Sequence, residues 1–201
     1  GLHLVLWALD EAAKSLDRDG RLRDLKAVFS RPILEGETAK LRIETDGSES
    51  KATIDGSKGE AAVIRFSWVP VELPRFSPEP RLSSLACREL TFEEAAESKG
   101  NINLSLDEDL LERLAPNAAR RLPMGQFALV LATTRVVGME CPGLHSLFNS
   151  LRLRFDHESM TASTLVYKVT KALKRYARLT LDVSSKGMTG ELQTSFRPRP
   201  Q

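Results

Sequence analysis

The chain has 201 residues, 41% hydrophobic and 28% charged, which suits a folded soluble protein of two small domains or one larger one. Its net charge of +2 argues against a dedicated nucleic-acid binder. No apolar run approaches the roughly 20 residues that span a bilayer, and no charged-then-apolar leader opens the chain. The two cysteines, Cys87 and Cys141, are too few for a disulfide scaffold or a Cys-based zinc site. The expectation is therefore a reduced, cytoplasmic protein with no cofactor and no metal.

In chain order, Leu4 to Leu16 is apolar nearly all round, which predicts a helix buried in a core. Asp46-Gly47 and Asp55-Gly56 supply turn chemistry between strands. Ser67 to Arg88 holds Pro70, Pro74, Pro78 and Pro80, and reads as a connector, because proline cannot donate to a strand ladder. Thr91-Phe92-Glu93-Glu94 forms a capping box that opens a short helix through Ala95 and Ala96. Ser105-Leu106-Asp107-Glu108 reads as a second, with Leu110, Leu111 and Leu114 at helical spacing behind it until Pro116. Phe127 to Val137 predicts another buried helix. Leu151, Leu153 and Phe155 alternate with Arg152 and Arg154, the pattern of a half-buried strand. Lys168, Lys171, Lys174, Arg175 and Arg178, interleaved with Tyr167 and Tyr176, read as a solvated strand-and-turn face, with no nucleic acid expected. Arg197-Pro198-Arg199-Pro200 looks like the start of a tail or of a linker to a further domain.

The two halves repeat. Leu4-Val5-Leu6 recurs as Leu129-Val130-Leu131, and Phe29 as Phe155. Thr53-Ile54-Asp55 with Ser57-Lys58-Gly59 recurs as Thr180-Leu181-Asp182 with Ser185-Lys186-Gly187. The offsets drift only from 125 to 128. Each unit reads as a helix followed by antiparallel strands, an α+β arrangement. Pairing two units into one sheet would cover an edge that each leaves open.

Three stretches carry a family resemblance. Phe29-Ser30-Arg31-Pro32-Ile33-Leu34-Glu35-Gly36-Glu37-Thr38 resembles the F-x-R-P-[VI]-x-x-G-[DE]-T stretch of MaoC-like hydratases. Val136-Val137-Gly138-Met139-Glu140-Cys141-Pro142-Gly143 is similar to the L-G-x-x-x-P-G-x-G turn after the central helix of (R)-specific enoyl-CoA hydratases. Gly1-Leu2-His3-Leu4 resembles the P-[IV]-x-H-G-[ML] lead-in to that helix. The resemblance implies a tandem (double) hot dog, each half an antiparallel sheet wrapped around a buried central helix. The expected division is an N-terminal hot dog over 1–70, truncated before residue 1, a proline-rich connector over 71–90, and a C-terminal hot dog over 91–201. The implied activity is reversible hydration of trans-2-enoyl-CoA or enoyl-acyl-carrier thioesters, with coenzyme A or the carrier as part of the substrate. Implied partners are acyl-CoA or acyl carrier protein, a homodimeric copy or a fused domain, and no membrane.

In that family an Asp and a His of the motif S-G-D-x-N-P-x-H share a water as general base and general acid. Here Ser98-Lys99-Gly100-Asn101-Ile102-Asn103-Leu104-Ser105-Leu106 stands in its place. Asn101 falls where the Asp belongs and Leu106 near the His, and neither can move the proton. Asn101 and Asn103 are thus degenerate motif positions, and this half is expected to be catalytically dead. The resemblance places substrate binding at the two helix starts, Gly1, Leu2 and His3 in the first half and Gly125 and Gln126 in the second, where backbone N–H groups would hold a thioester oxygen. His145, near Glu140 and Cys141, is a weaker catalytic candidate, set against a purely structural turn at Pro142-Gly143. The alternative to an enzyme is a non-catalytic acyl-thioester-binding or structural module. A thioesterase finds no placed carboxylate, since Asp10 and Glu11 come late on the first helix and match Thr134 and Arg135 on the second.

Overall fold

The computed structural model describes residues 1–72 and 86–197. Most of the proline-rich connector, and the tail from Pro198, fall outside them.

Among the described residues nine strands form one antiparallel sheet. They are β1 (Gly20–Phe29), β2 (Lys40–Asp46), β3 (Glu49–Gly56), β4 (Gly59–Pro70), β5 (Lys99–Asn103), β6 (Ser146–Phe155), β7 (Thr164–Leu173), β8 (Arg178–Ser185) and β9 (Met188–Phe196). The helices are α1 (Leu2–Ala13), α2 (Phe92–Ala96), α3 (Glu108–Leu114), α4 (Pro116–Arg121) and α5 (Met124–Arg135). The sheet order is β2-β3-β4-β1-β6-β9-β8-β7-β5. Read outward from the β1–β6 seam, β1, β4, β3, β2 on one side mirrors β6, β9, β8, β7 on the other, with β5 added at the far edge. The repeated Thr-x-Asp segments fall on β3 and β8, and each Lys-Gly pair turns into the next strand.

Period-two burial drives this layering. At the seam Leu25 pairs with Leu153 and Ala27 with Leu151, all buried, while Lys26 pairs with Arg152 on the opposite face. The buried side chains of the sheet pack with Val5, Leu6 and Leu9 of α1 and with Phe127, Leu129 and Val130 of α5 in one continuous core. Leucine-sized side chains buried in this way contribute roughly 1.5–3 kcal/mol each.

Several local expectations change. The strand β4 runs on through Ser67 to Pro70, with Pro70 at its last position opposite Gly20, where a missing donor is tolerated. The capping box at Thr91 forms as expected, with Thr91 Oγ1 accepting from Glu94 N and the Glu94 carboxylate accepting from Thr91 N. At α3 the cap is Asp107 and not Ser105, because its carboxylate accepts from Leu110 N at 2.9 Å. Pro116 does end α3, but it also opens α4 at its first position, where no N–H is required. Leu111 is buried, while Leu110 and Leu114 remain 45% and 46% exposed. The second central helix continues past Arg135 as one π-helical turn, Val136–Glu140.

Candidate functional site

The two central helices start at opposite ends of the seam. The first turn of α1 lies over the end of β1. A Cβ placed on Gly1 would touch the Phe29 ring at 3.5 Å, and Phe29 meets Phe148 of β6 with ring centroids 5.6 Å apart. Gly1 serves as N-cap without a side-chain hydrogen bond, and its carbonyl accepts from Leu4 N at 3.1 Å. Leu2 is half-buried against the core and His3 is exposed. This end therefore combines a helix N-terminus with an aromatic wall.

The start of α5 is closed. Gly125 lies against the 3₁₀ turn His157–Thr161 so tightly that a Cβ would overlap the Met160 carbonyl. Gln126 is 1% exposed, and its amide is fully engaged with neighbouring chain. Its Oε1 accepts from Leu22 N at 2.7 Å, and its Nε2 donates to Leu22 O at 3.0 Å and Ser159 Oγ at 2.9 Å. The strand β1 slips register between Leu22 and Asp24, and Gln126 satisfies the backbone groups of Leu22 at that irregularity. Nothing in the local sequence signals this, because the partners lie more than a hundred positions apart.

At the other end of α5, the turn after the π-helical segment gathers the remaining candidates. Cys141-Pro142 is a cis peptide, and Gly143 has φ +90°, pressed against the Arg88 carbonyl where a side chain would not fit. Arg88 N donates to Met139 O at 2.8 Å, and Glu89 bridges Gly143. Cys141 and His145 have separate partners. Cys141 Sγ donates to Ala95 O at 3.5 Å, whereas His145 Nε2 lies 3.4 Å from Glu89 Oε1. Burial pushes the Cys141 thiol up to about 11, which leaves almost no thiolate at neutral pH. The Ser98 hydroxyl lies within electrostatic reach of Cys141 and of the buried Tyr167, yet completes no full hydrogen bond among the described residues.

Asn101 and Asn103 lie on the edge strand β5, paired with Val166 and Thr164 of β7. Both face solvent, while Ile102 between them points into the core. His157 is exposed on the 3₁₀ turn. Among the described residues no group of three or more His, Cys, Asp and Glu is placed to hold a metal.

Two acidic residues have structural roles that pattern reading did not show. Asp10 accepts from Asn117 N at 2.7 Å, Ala118 N at 3.0 Å and Asn117 Nδ2 at 3.0 Å, so α1 caps α4. Glu37 accepts from Leu34 N at 3.0 Å, and from both Ser57 N and Ser57 Oγ at 2.6 Å. The Arg31-to-Thr38 motif is thereby clipped onto the β3–β4 hairpin, with Arg31 Nε donating to Glu60 O at 3.1 Å.

No protein-family model matches the chain, and no curated protein is similar to it in sequence. Solved structures do match. A MaoC-like dehydratase is similar with a TM-score of 0.56 and 12% identity, over 96% of this chain and 83% of that one. The dehydratase domain of PpsC from Mycobacterium tuberculosis, in complex with C12:1-CoA, has a TM-score of 0.52 and 10% identity, over 98% and 84%. Acyl-CoA thioesterase II TesB2 from Mycobacterium marinum has 0.51 and 13%, over 100% and 90%. At such identities the likeness speaks for the fold and not the activity. The antiparallel sheet, the buried helices and these neighbours together make this chain an α+β protein of the hot dog fold.

Proposed function

We propose that the chain is a tandem hot dog module that acts on acyl thioesters, and that the chemistry it is built around is reversible hydration of a trans-2-enoyl-CoA or enoyl-acyl-carrier thioester. The observation that carries this reading is the pair of central helices starting at opposite ends of the β1–β6 seam. The start of α5 is sealed by Gln126 and the Met160 turn, whereas the first turn of α1 lies beside the Phe29–Phe148 wall. N–H groups at a helix start stabilise charge developing on a thioester oxygen, and the aromatic pair offers an apolar surface to an acyl chain. Two of the named neighbours have names that carry an acyl-CoA, a dehydratase domain complexed with C12:1-CoA and an acyl-CoA thioesterase.

Hydration needs a base for water and an acid for the α-carbon. Asn101 and Asn103 can supply neither from the solvent face of an edge strand. That placement favours a second reading, a module that binds an acyl thioester without turning it over.

Titration of the full chain with crotonyl-CoA and with a longer enoyl-CoA, read by calorimetry and by loss of enoyl absorbance, separates the two. Binding with absorbance loss supports hydration. Binding without it supports the non-catalytic module. No binding of either thioester refutes both. Phe29→Asp, which places charge on the aromatic wall, is expected to weaken binding at least tenfold.

A further inference from the structure

The sheet face turned away from the helices carries a line of charge that the thioester reading does not use. Lys51 of β3, Arg65 of β4, Lys26 of β1 and Arg152 of β6 stand directly opposite one another on four neighbouring strands. At about 4.8 Å between strands they form a row about 14 Å long. Like charges placed opposite one another across a ladder repel, so their persistence in register calls for a cause. Lys51 has Glu44 at 3.7 Å. Among the described residues Lys26, Arg65 and Arg152 form no ion pair, although Arg154 beside them reaches Asp24 at 3.5 Å. The row lines a groove of about 740 Å³. Carboxylates bound it. Glu191 and Asp182 continue the line beyond Arg152, and Glu49 and Asp24 lie in the next row along the strands.

We propose that this row docks an acidic α-helix of a partner protein, lying across the strands. The arrangement selects that occupant by shape and charge. A free phosphate is best held by cations converging on one point, whereas these are strung along a line. A nucleic acid carries charge well beyond the row, and would run into Glu191 and Asp182. A helix rises 1.5 Å per residue, so acidic side chains at i, i+3, i+7 and i+10 fall at about 0, 4.5, 10.5 and 15 Å. These positions match cations spaced at about 0, 5, 10 and 14 Å across the strands. Basic residues on the flank of such a helix would meet Glu49 and Asp24. The proposal does not depend on thioester binding and predicts none.

The test uses the full chain and a fluorescein-labelled, alanine-rich helical peptide carrying Glu at those four positions, read by anisotropy. The expected result is saturable binding that weakens as salt rises, and that weakens roughly tenfold or more in the triple variant K26Q/R65Q/R152Q. Circular dichroism and urea unfolding of the triple variant check that the fold is intact. If the triple variant does not fold, Lys26→Glu alone serves, with a smaller loss expected. Equal affinity for a peptide with Gln at the four positions, or an unchanged triple variant, overturns the proposal. So does tighter binding of duplex DNA or inorganic phosphate, or self-association of the chain that the triple variant abolishes.

Discussion

Replacing Gln126 by Leu keeps most of the side-chain volume and removes the amide. The structure makes the cost calculable. In the wild type Leu22 N and Leu22 O are both satisfied by the Gln126 amide, in a position only 1% exposed, so water cannot replace it. Each buried backbone group left without a partner costs roughly 1–3 kcal/mol, so two orphaned groups cost about 2–6 kcal/mol. Because volume is nearly conserved, little of this is a cavity effect. For a chain of this length 1 kcal/mol shifts the melting temperature by roughly 2–4 °C, so Gln126→Leu is expected to melt at least about 4 °C lower. Gln126→Glu keeps an acceptor for Leu22 N but sets a carboxylate oxygen against Leu22 O, and is expected to cost at least as much. Urea unfolding at fixed pH measures both variants, provided the slope is unchanged. A Gln126→Leu variant within about 1 kcal/mol of wild type would refute the claim that this amide holds β1 at its register slip.

Three further outcomes follow from the geometry. Asp10→Ala removes the acceptor for the first N–H groups of α4 and is expected to lower stability by about 1–2 kcal/mol in urea unfolding, with Asp10→Asn losing less. Glu37 is held down at about 2 by the Ser57 hydroxyl first and by the Leu34 and Ser57 N–H groups next. A carboxyl depressed in the folded state contributes stability at neutral pH that is lost as pH falls from about 4.5 towards 2. Its NMR titration midpoint should lie near 2 and rise in Ser57→Ala; an ordinary midpoint in the wild type would contradict the clip. In the native protein at neutral pH, an alkylating reagent should modify exposed Cys87 and leave Cys141 untouched until unfolding, and rapid labelling of both would show that the burial of Cys141 is wrong.

The basic run after Tyr167 shows how far charge patterning alone reaches. Lys168 and Lys171 project from β7, Lys174 pairs with Glu93 of α2, and the Arg175 guanidinium sits 5.7 Å from the centre of the Tyr176 ring. A solvated strand-and-turn face was legible from the alternation. The Glu93 partner was not, since it lies on another element.

What the sequence determined by itself is what short-range physics governs. Runs that are apolar nearly all round became α1 and α5, alternation became the strands, and Thr91 with Glu94 closed a capping box. About the seam the strand order β1-β4-β3-β2 stands opposite β6-β9-β8-β7. Tertiary structure decided the rest. It made Gln126 a brace for β1, Asp10 a cap for α4 and Glu37 a clip on a hairpin, and it turned Asn101 and Asn103 to solvent. It also aligned Lys51, Arg65, Lys26 and Arg152 into one row from four separate strands. The physical reason is common to all of them. A side chain's period is written in its neighbours along the chain, whereas its hydrogen-bond and charge partners are set by strand register, which brings together residues far apart in sequence.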